Sequence, residues 1–191
     1  LRMWAKQGAA PGDSVPGVSQ NALTNFGPED IGPPTSTHDM GVDYETSPDN
    51  PQASSLDEYR CFVVDPGWAE AKHLKAVGFV PDNRQVVHHG IIYLDLPNSH
   101  EDVDALEAAD AAPGYNCFGG AGFDNAILLA GYAPGAKTKA FPDGATITLP
   151  RGSRFVVELH YNVLNGTGID RSSVAFWEVD QPSRLSPRGL I

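Results

Sequence analysis

The chain has 191 residues, a formal net charge of −11 and a pI near 4.8. No basic stripe is present for a nucleic-acid partner, and no apolar run reaches the length of a membrane span. The 16 prolines and 20 glycines favour turns and short strands over long helices. Length alone suggests one domain with an appendage. The first residue is not Met and no signal peptide opens the chain, so the sequence reads as a processed form or a piece of a longer precursor.

Residues 1–56 differ from the rest. Leu1 to Gln7 read as the last turns of a helix, stopped by Gly8 and Pro11-Gly12. The remainder, rich in Pro, Gly, Ser, Asn and Asp, reads as an extended arm or linker, too poor in periodic apolar positions to form its own core. From residue 57 to 191 short apolar runs recur: 59–64, 74–80, 86–96, 126–132, 145–149, 153–163 and 173–179. Turn signals such as Asp65-Pro66-Gly67, Pro81-Asp82-Asn83, Pro142-Asp143-Gly144 and Asn165-Gly166 separate them. That pattern predicts an all-β sandwich or jelly roll, with the arm laid on it or on a neighbouring subunit. Residues 101–112, acidic and Ala-rich, read as a short helix or a loop, and Gly114 to Gly120 as a turn rather than a phosphate loop, since no Lys accompanies it. Asn165-Gly166-Thr167 fits a glycosylation acceptor and, better, a hairpin turn.

Six histidines are present: His38, His73, His88, His89, His100 and His160. His88 and His89 interrupt the apolar run Val86 to Leu94, and His160 interrupts Phe155 to Tyr161. An imidazole within a strand core needs a partner, and imidazole is the commonest transition-metal ligand. Adjacent residues of a regular strand face opposite sides of the sheet. His88 and His89 can therefore share a metal only across a bulge, which Gly90 would allow; otherwise one faces the core and one faces solvent. With His160 they would suit copper or zinc. His73 and His100 read as surface residues, and His38 and Met40 as part of the arm. Cys61 and Cys117 are either a disulfide or two buried thiols.

Five stretches, in order, resemble the N-terminal half of the copper type II, ascorbate-dependent monooxygenases, the family of peptidylglycine α-hydroxylating and dopamine β-hydroxylating enzymes and their bacterial relatives. They are Asp57-Glu58-Tyr59-Arg60-Cys61-Phe62, Val87-His88-His89-Gly90-Ile91-Ile92, Leu149-Pro150-Arg151-Gly152, Glu158-Leu159-His160-Tyr161-Asn162 and Asp170-Arg171-Ser172-Ser173-Val174. The resemblance covers about residues 57–191. A second, short likeness joins Trp4 to Asp13 with the end of a cytochrome-c-like module.

The resemblance implies a jelly-roll sandwich and one copper, held by His88, His89 and His160. It implies that this copper passes electrons to a second one in a C-terminal half, where oxygen hydroxylates an organic substrate. An ascorbate-like reductant and a secreted, periplasmic or cell-surface location go with it. The family's second copper uses a His-x-His pair and a Met, and this chain has no His and no Met after His160. Glu158 stands where the family commonly has Gln. It shares a strand face with His160, either as a partner of the metal ligands or as an exposed strand residue. Arg171 stands where a half-cystine is expected, which leaves Cys117 as the intrachain mate of Cys61. The rival expectation is a non-catalytic copper-binding or structural module of a secreted or surface assembly.

Overall fold

The structure, a computed structural model, describes residues 31–47 and 56–183. The proposed helix end at Leu1–Gln7 and the cytochrome-like stretch at Trp4–Asp13 lie outside the described residues. Among the described residues eleven strands and one α-helix follow in chain order: β1 (Ser36–Asp39), β2 (Tyr44–Glu45), β3 (Asp57–Val64), β4 (Lys72–Val80), β5 (Val87–Asp95), α1 (His100–Ala109), β6 (Tyr115–Asn116), β7 (Ile127–Tyr132), β8 (Ile147–Leu149), β9 (Arg154–Asn162), β10 (Ile169–Asp170) and β11 (Ser173–Val179). All seven apolar runs are strands, displaced by one or two residues at most of their ends. The acidic segment is the helix.

The strands form two antiparallel sheets, one in the order β1-β11-β4-β8 and one in the order β6-β3-β9-β5-β7, with a small β10-β2 ribbon beside them. This is the expected all-β sandwich. Alternation decides which side chains lie between the sheets. From β9 these are Phe155, Val157, Leu159 and Tyr161, and from β11 Val174 and Phe176, all buried in one apolar core. The Phe155 and Phe176 rings meet across the sandwich at 4.7 Å, and Phe79 of β4 meets Tyr132 of β7 at 5.2 Å. Removing such a ring typically costs 3–5 kcal/mol.

Part of the N-terminal segment contributes to the sandwich. Residues 36–39 add β1 to β11 in the register Ser36↔Phe176 to Asp39↔Ser173, and residues 44–45 pair with β10. Met40 and Tyr44 enter the core. Arg171, at the expected half-cystine position, instead pairs with Asp39 at 3.1 Å and Asp43 at 3.0 Å, joining this segment to the β10–β11 connection.

The outer face of the five-stranded sheet is divided. One end is covered by α1 and the 110–123 loop, where Cys61, Val103, Tyr115, Cys117, Ala121 and Val156 form a second core cluster. Cys61 and Cys117 are disulfide-bonded, with Cα atoms 5.8 Å apart. Gly114 is required in this loop. Its φ is +66°, and a Cβ there would strike the Cys61 carbonyl oxygen and the Phe62 ring. The other end of the same face carries the histidines.

Candidate metal centre

The geometry begins with β9. Its register against β3 sets Tyr59 opposite His160 and Asp57 opposite Asn162. Its register against β5 runs regularly from Asp95↔Arg154 to His89↔His160 and then skips, since the next pair is Val87↔Tyr161. His88 is the extra residue of a β-bulge. Val87 is buried in the core and His88 is exposed, so the bulge turns His88 onto the face already occupied by His89 and His160.

Hydrogen bonds pin the chain where it enters the bulge. Asn162 N–H donates to the Val86 carbonyl at 2.8 Å, and the Val86 and Val87 amides both donate to the Asn83 carbonyl. The Asn83 amide in turn donates to buried Asp170, which also accepts from the Tyr161 and Ser172 hydroxyls. Burial pushes the Asp170 carboxyl up, against the pull of these donors. Gly90 has no positive φ; a Cβ there would press on the inward Phe79 ring at 3.1–3.2 Å. The glycine therefore serves inter-sheet packing, and the bulge itself needs none.

His88 Nδ1 lies 3.2 Å from His160 Nδ1, and His89 Nδ1 lies 3.3 Å from the same atom. The three ligand atoms all fall within 4.8 Å of one another. Two nitrogens each about 2.0 Å from one ion at a tetrahedral angle stand about 3.3 Å apart, so both short separations match shared coordination. The opposite nitrogen of His160 is already engaged: Nε2 lies 3.0 Å from Asp57 Oδ1. A proton held on Nε2 by this carboxylate leaves Nδ1 as a lone-pair donor, the carboxylate–histidine–metal arrangement. Asp57 is itself oriented by Asn162 Nδ2 at 2.7 Å, and this bond and the His160 contact hold its carboxyl below the usual carboxylate range. Burial, and then the neighbouring His88 and His160, lower the His89 pKa, favouring the neutral ring that binds metal. The donor set fits a transition metal that accepts nitrogen.

An aromatic stack closes one side. The Tyr59 ring lies on His160 at 4.4 Å and 6° between planes, and Phe118 meets Tyr59 edge-on at 4.8 Å. Phe118 is 76% exposed despite its size. It follows Cys117, so the disulfide sets it against Tyr59.

Glu158 lies on the face shared with His160, as alternation requires, but is only 6% exposed. Its carboxylate accepts a hydrogen bond from Tyr93 at 3.0 Å, and the acid bonded to a histidine of the cluster is Asp57. Burial and the Glu158 charge push Tyr93 up to about 12. The remaining histidines lie apart from the cluster. His38 is on β1 of the other sheet with its ring 5.9 Å from Phe176, His73 on β4 contacts Thr148 Oγ1 at 2.9 Å, and His100 opens α1 with Nε2 3.7 Å from Asp95. Met40 is buried in the core. Among the described residues His88, His89 and His160 are the one such group with metal-binding geometry.

Asp57, Tyr59, Tyr93 and Phe118 are the members that sequence reasoning missed. Asp57 and Tyr59 alternate with Cys61 along β3, but only the β3–β9 register shows that both meet His160. Compared with protein-family models and with curated proteins, the chain matches none.

Proposed function

We propose that His88, His89 and His160 hold one type II copper ion, and that this sandwich is the electron-transfer copper domain of a copper-dependent monooxygenase acting on an organic substrate. The observation that carries the reading is the convergence of three imidazole Nδ1 atoms on one sheet face, with Asp57 engaging the far nitrogen of His160. The ordered motif resemblance adds to it, jelly-roll connectivity included. Copper would supply one-electron chemistry, and histidine ligation suits both of its oxidation states. The chain's own contribution is placement. The bulge aims two ligands, Asp57 sets the His160 tautomer, and the Tyr59–Phe118 stack shields one edge from water. The disulfide agrees with an oxidising compartment, and no helix among the described residues is long and apolar enough to cross a membrane.

A second reading is a copper-binding module without catalysis. It is favoured by the single ligand cluster among the described residues. Copper titration followed by electron paramagnetic resonance tests the common core of both. The parent should bind one copper(II) with a type II nitrogen-coordinated spectrum, His160→Ala should lose most affinity, and His73→Ala and His100→Ala should match the parent. A His160→Ala protein that binds as tightly as the parent refutes the site and the monooxygenase reading together. Reduction of the bound copper(II) by ascorbate, followed by transfer to a C-terminal catalytic half or partner, separates the enzyme from the module.

A further inference from the structure

Beside the histidines, the same face of the sheet opens into a cavity of about 430 Å³ lined by Tyr59, Ile91, Gly131, Tyr132, Ala133 and Glu158, with His89 and His160 at its edge. That volume lies in the range of small-molecule sites. The lining is mostly apolar, and small residues at 131 and 133 leave the space that larger side chains would fill. No Lys or Arg lines it, and Glu158 is its one acidic group. Tyr93 occupies Oε2 of that carboxylate, leaving Oε1 as an acceptor for a ligand.

We propose that this cavity binds a small neutral aromatic molecule carrying a hydroxyl donor, a phenol, with the hydroxyl donating to Glu158 and the ring against the Tyr59 and Ile91 side chains. Charge decides among ligands of this shape. An anion would meet the Glu158 carboxylate in a low-dielectric setting and a chain of net charge −11. An organic cation would meet the dication held by His89 and His160; this exclusion alone rests on the metal reading. A neutral donor avoids both repulsions and still satisfies a carboxylate that is 6% exposed. His89 and His160 border both the cavity and the proposed metal centre.

The test is titration of the full chain, metal-free and zinc-loaded, with p-cresol, 4-methylbenzoate and benzylamine, followed by NMR shifts of the backbone amides of Gly131 and Ile91. Zinc binding is measured first by calorimetry. We expect p-cresol to saturate the shifts in both forms, 4-methylbenzoate to bind at least tenfold more weakly, and benzylamine to bind more weakly than p-cresol once zinc is present. Gly131→Val should abolish p-cresol binding and leave zinc affinity unchanged. A Cβ at 131 meets nothing nearer than the Gly90 carbonyl oxygen at 3.9 Å, so the valine enters the cavity without displacing the sheet. Glu158→Gln should weaken p-cresol about fivefold, as a charged acceptor becomes neutral. Absence of p-cresol binding in either form, undiminished binding to Gly131→Val, or stronger binding of the anion overturns the inference while leaving the metal centre intact. Failure to bind zinc or copper defeats the metal reading instead, and the metal-free p-cresol titration with Gly131→Val still decides the cavity.

Discussion

Replacing Asp57 separates a metal centre from a fortuitous group of surface histidines. The carboxylate is 39% exposed on its side chain and lies at the start of β3, with contacts to His160 Nε2 and Asn162 Nδ2. Its loss leaves no cavity in the core, and an exposed pair of this kind contributes on the order of 0–1 kcal/mol to folding. Its effect on metal affinity should be much larger. Without an acceptor at Nε2, the imidazole proton redistributes between the two nitrogens and the ring is free to turn, whereas Nδ1 is the atom shared with His88 and His89. Partners of this type typically contribute 10- to 100-fold in affinity, or about 1.4–2.7 kcal/mol. Asp57→Ala should therefore raise the copper or zinc Kd 10- to 100-fold in a chelator competition at pH 7, with a thermal midpoint within a few degrees of the parent. Asp57→Asn should fall between, because its amide oxygen still accepts from Nε2–H but carries no charge. A metal affinity for Asp57→Ala equal to that of the parent would refute the tautomer argument, and with it the claim that Nδ1 of His160 is the ligand atom.

Three further outcomes follow from the same contacts. The disulfide closes a loop with a sequence separation of 56, for which chain entropy predicts about 4 kcal/mol as an upper figure; paired replacement of Cys61 and Cys117 by alanine should lower the urea midpoint accordingly, and thiol titration of the denatured, unreduced parent should find no free thiol. Burial raises the Asp110 pKa, but the Ala112 amide and the buried Arg60 guanidinium at 2.8 Å outweigh it and bring the folded value below 3.8. Its contribution is thus fully present above that pH and lost as pH falls through the folded value, so Asp110→Asn should flatten the acid limb of the stability curve below about pH 4. Lastly, the metal-free chain should unfold cooperatively in excess chelator, and added zinc should raise its midpoint in proportion to the logarithm of free metal above Kd.

Much of the fold was legible because strand alternation and turn chemistry act locally. Val87 to Leu94 and Phe155 to Tyr161 announce strands by their β-branched and aromatic content, and Asp65-Pro66-Gly67 and Pro81-Asp82-Asn83 end β3 and β4 where the turns occur. The His-His pair showed that a regular strand could not serve one metal, and the bulge at His88 is the physical resolution. What stayed hidden depends on register. The contact of Asp57 with His160 arises because β3 and β9, about a hundred residues apart in sequence, pair with Tyr59 opposite His160 and Asp57 one step beyond, diagonal to it. Shifting that pairing by one residue would send Asp57 to the core face. The role of Gly90 was equally invisible, since a glycine needed for approach to Phe79 looks, in sequence, like one needed for a bulge. Strands β1 and β2 were illegible within 1–56 because Ser36 to Asp39 and Tyr44-Glu45 are short and polar and owe their order to β11 and β10.

The expectation that the metal-free chain folds rests on where the ligands sit. His89 and His160 are cross-strand neighbours in a five-stranded sheet, and His88 is fixed by the bulge between Val87 and His89. The sheet owes its order to a core of buried side chains from both layers, Phe155, Val157, Leu159, Tyr161 and Phe176 among them, and none of these contacts involves the metal. Small metal-folded domains differ in lacking such a core, so that binding energy is folding energy for them. Here the strands, Asp57 and the Tyr59 stack hold the imidazoles in place without an ion, so little ordering entropy would oppose the proposed metal binding. The same rigidity bears on redox chemistry. A copper ion changing oxidation state would find its nitrogen ligands held by strand pairing on both sides, which limits ligand rearrangement on electron transfer. An apo chain that is unfolded in chelator, or folded with the β5–β9 amides exchanging as fast as a free loop, would break this argument at its first step.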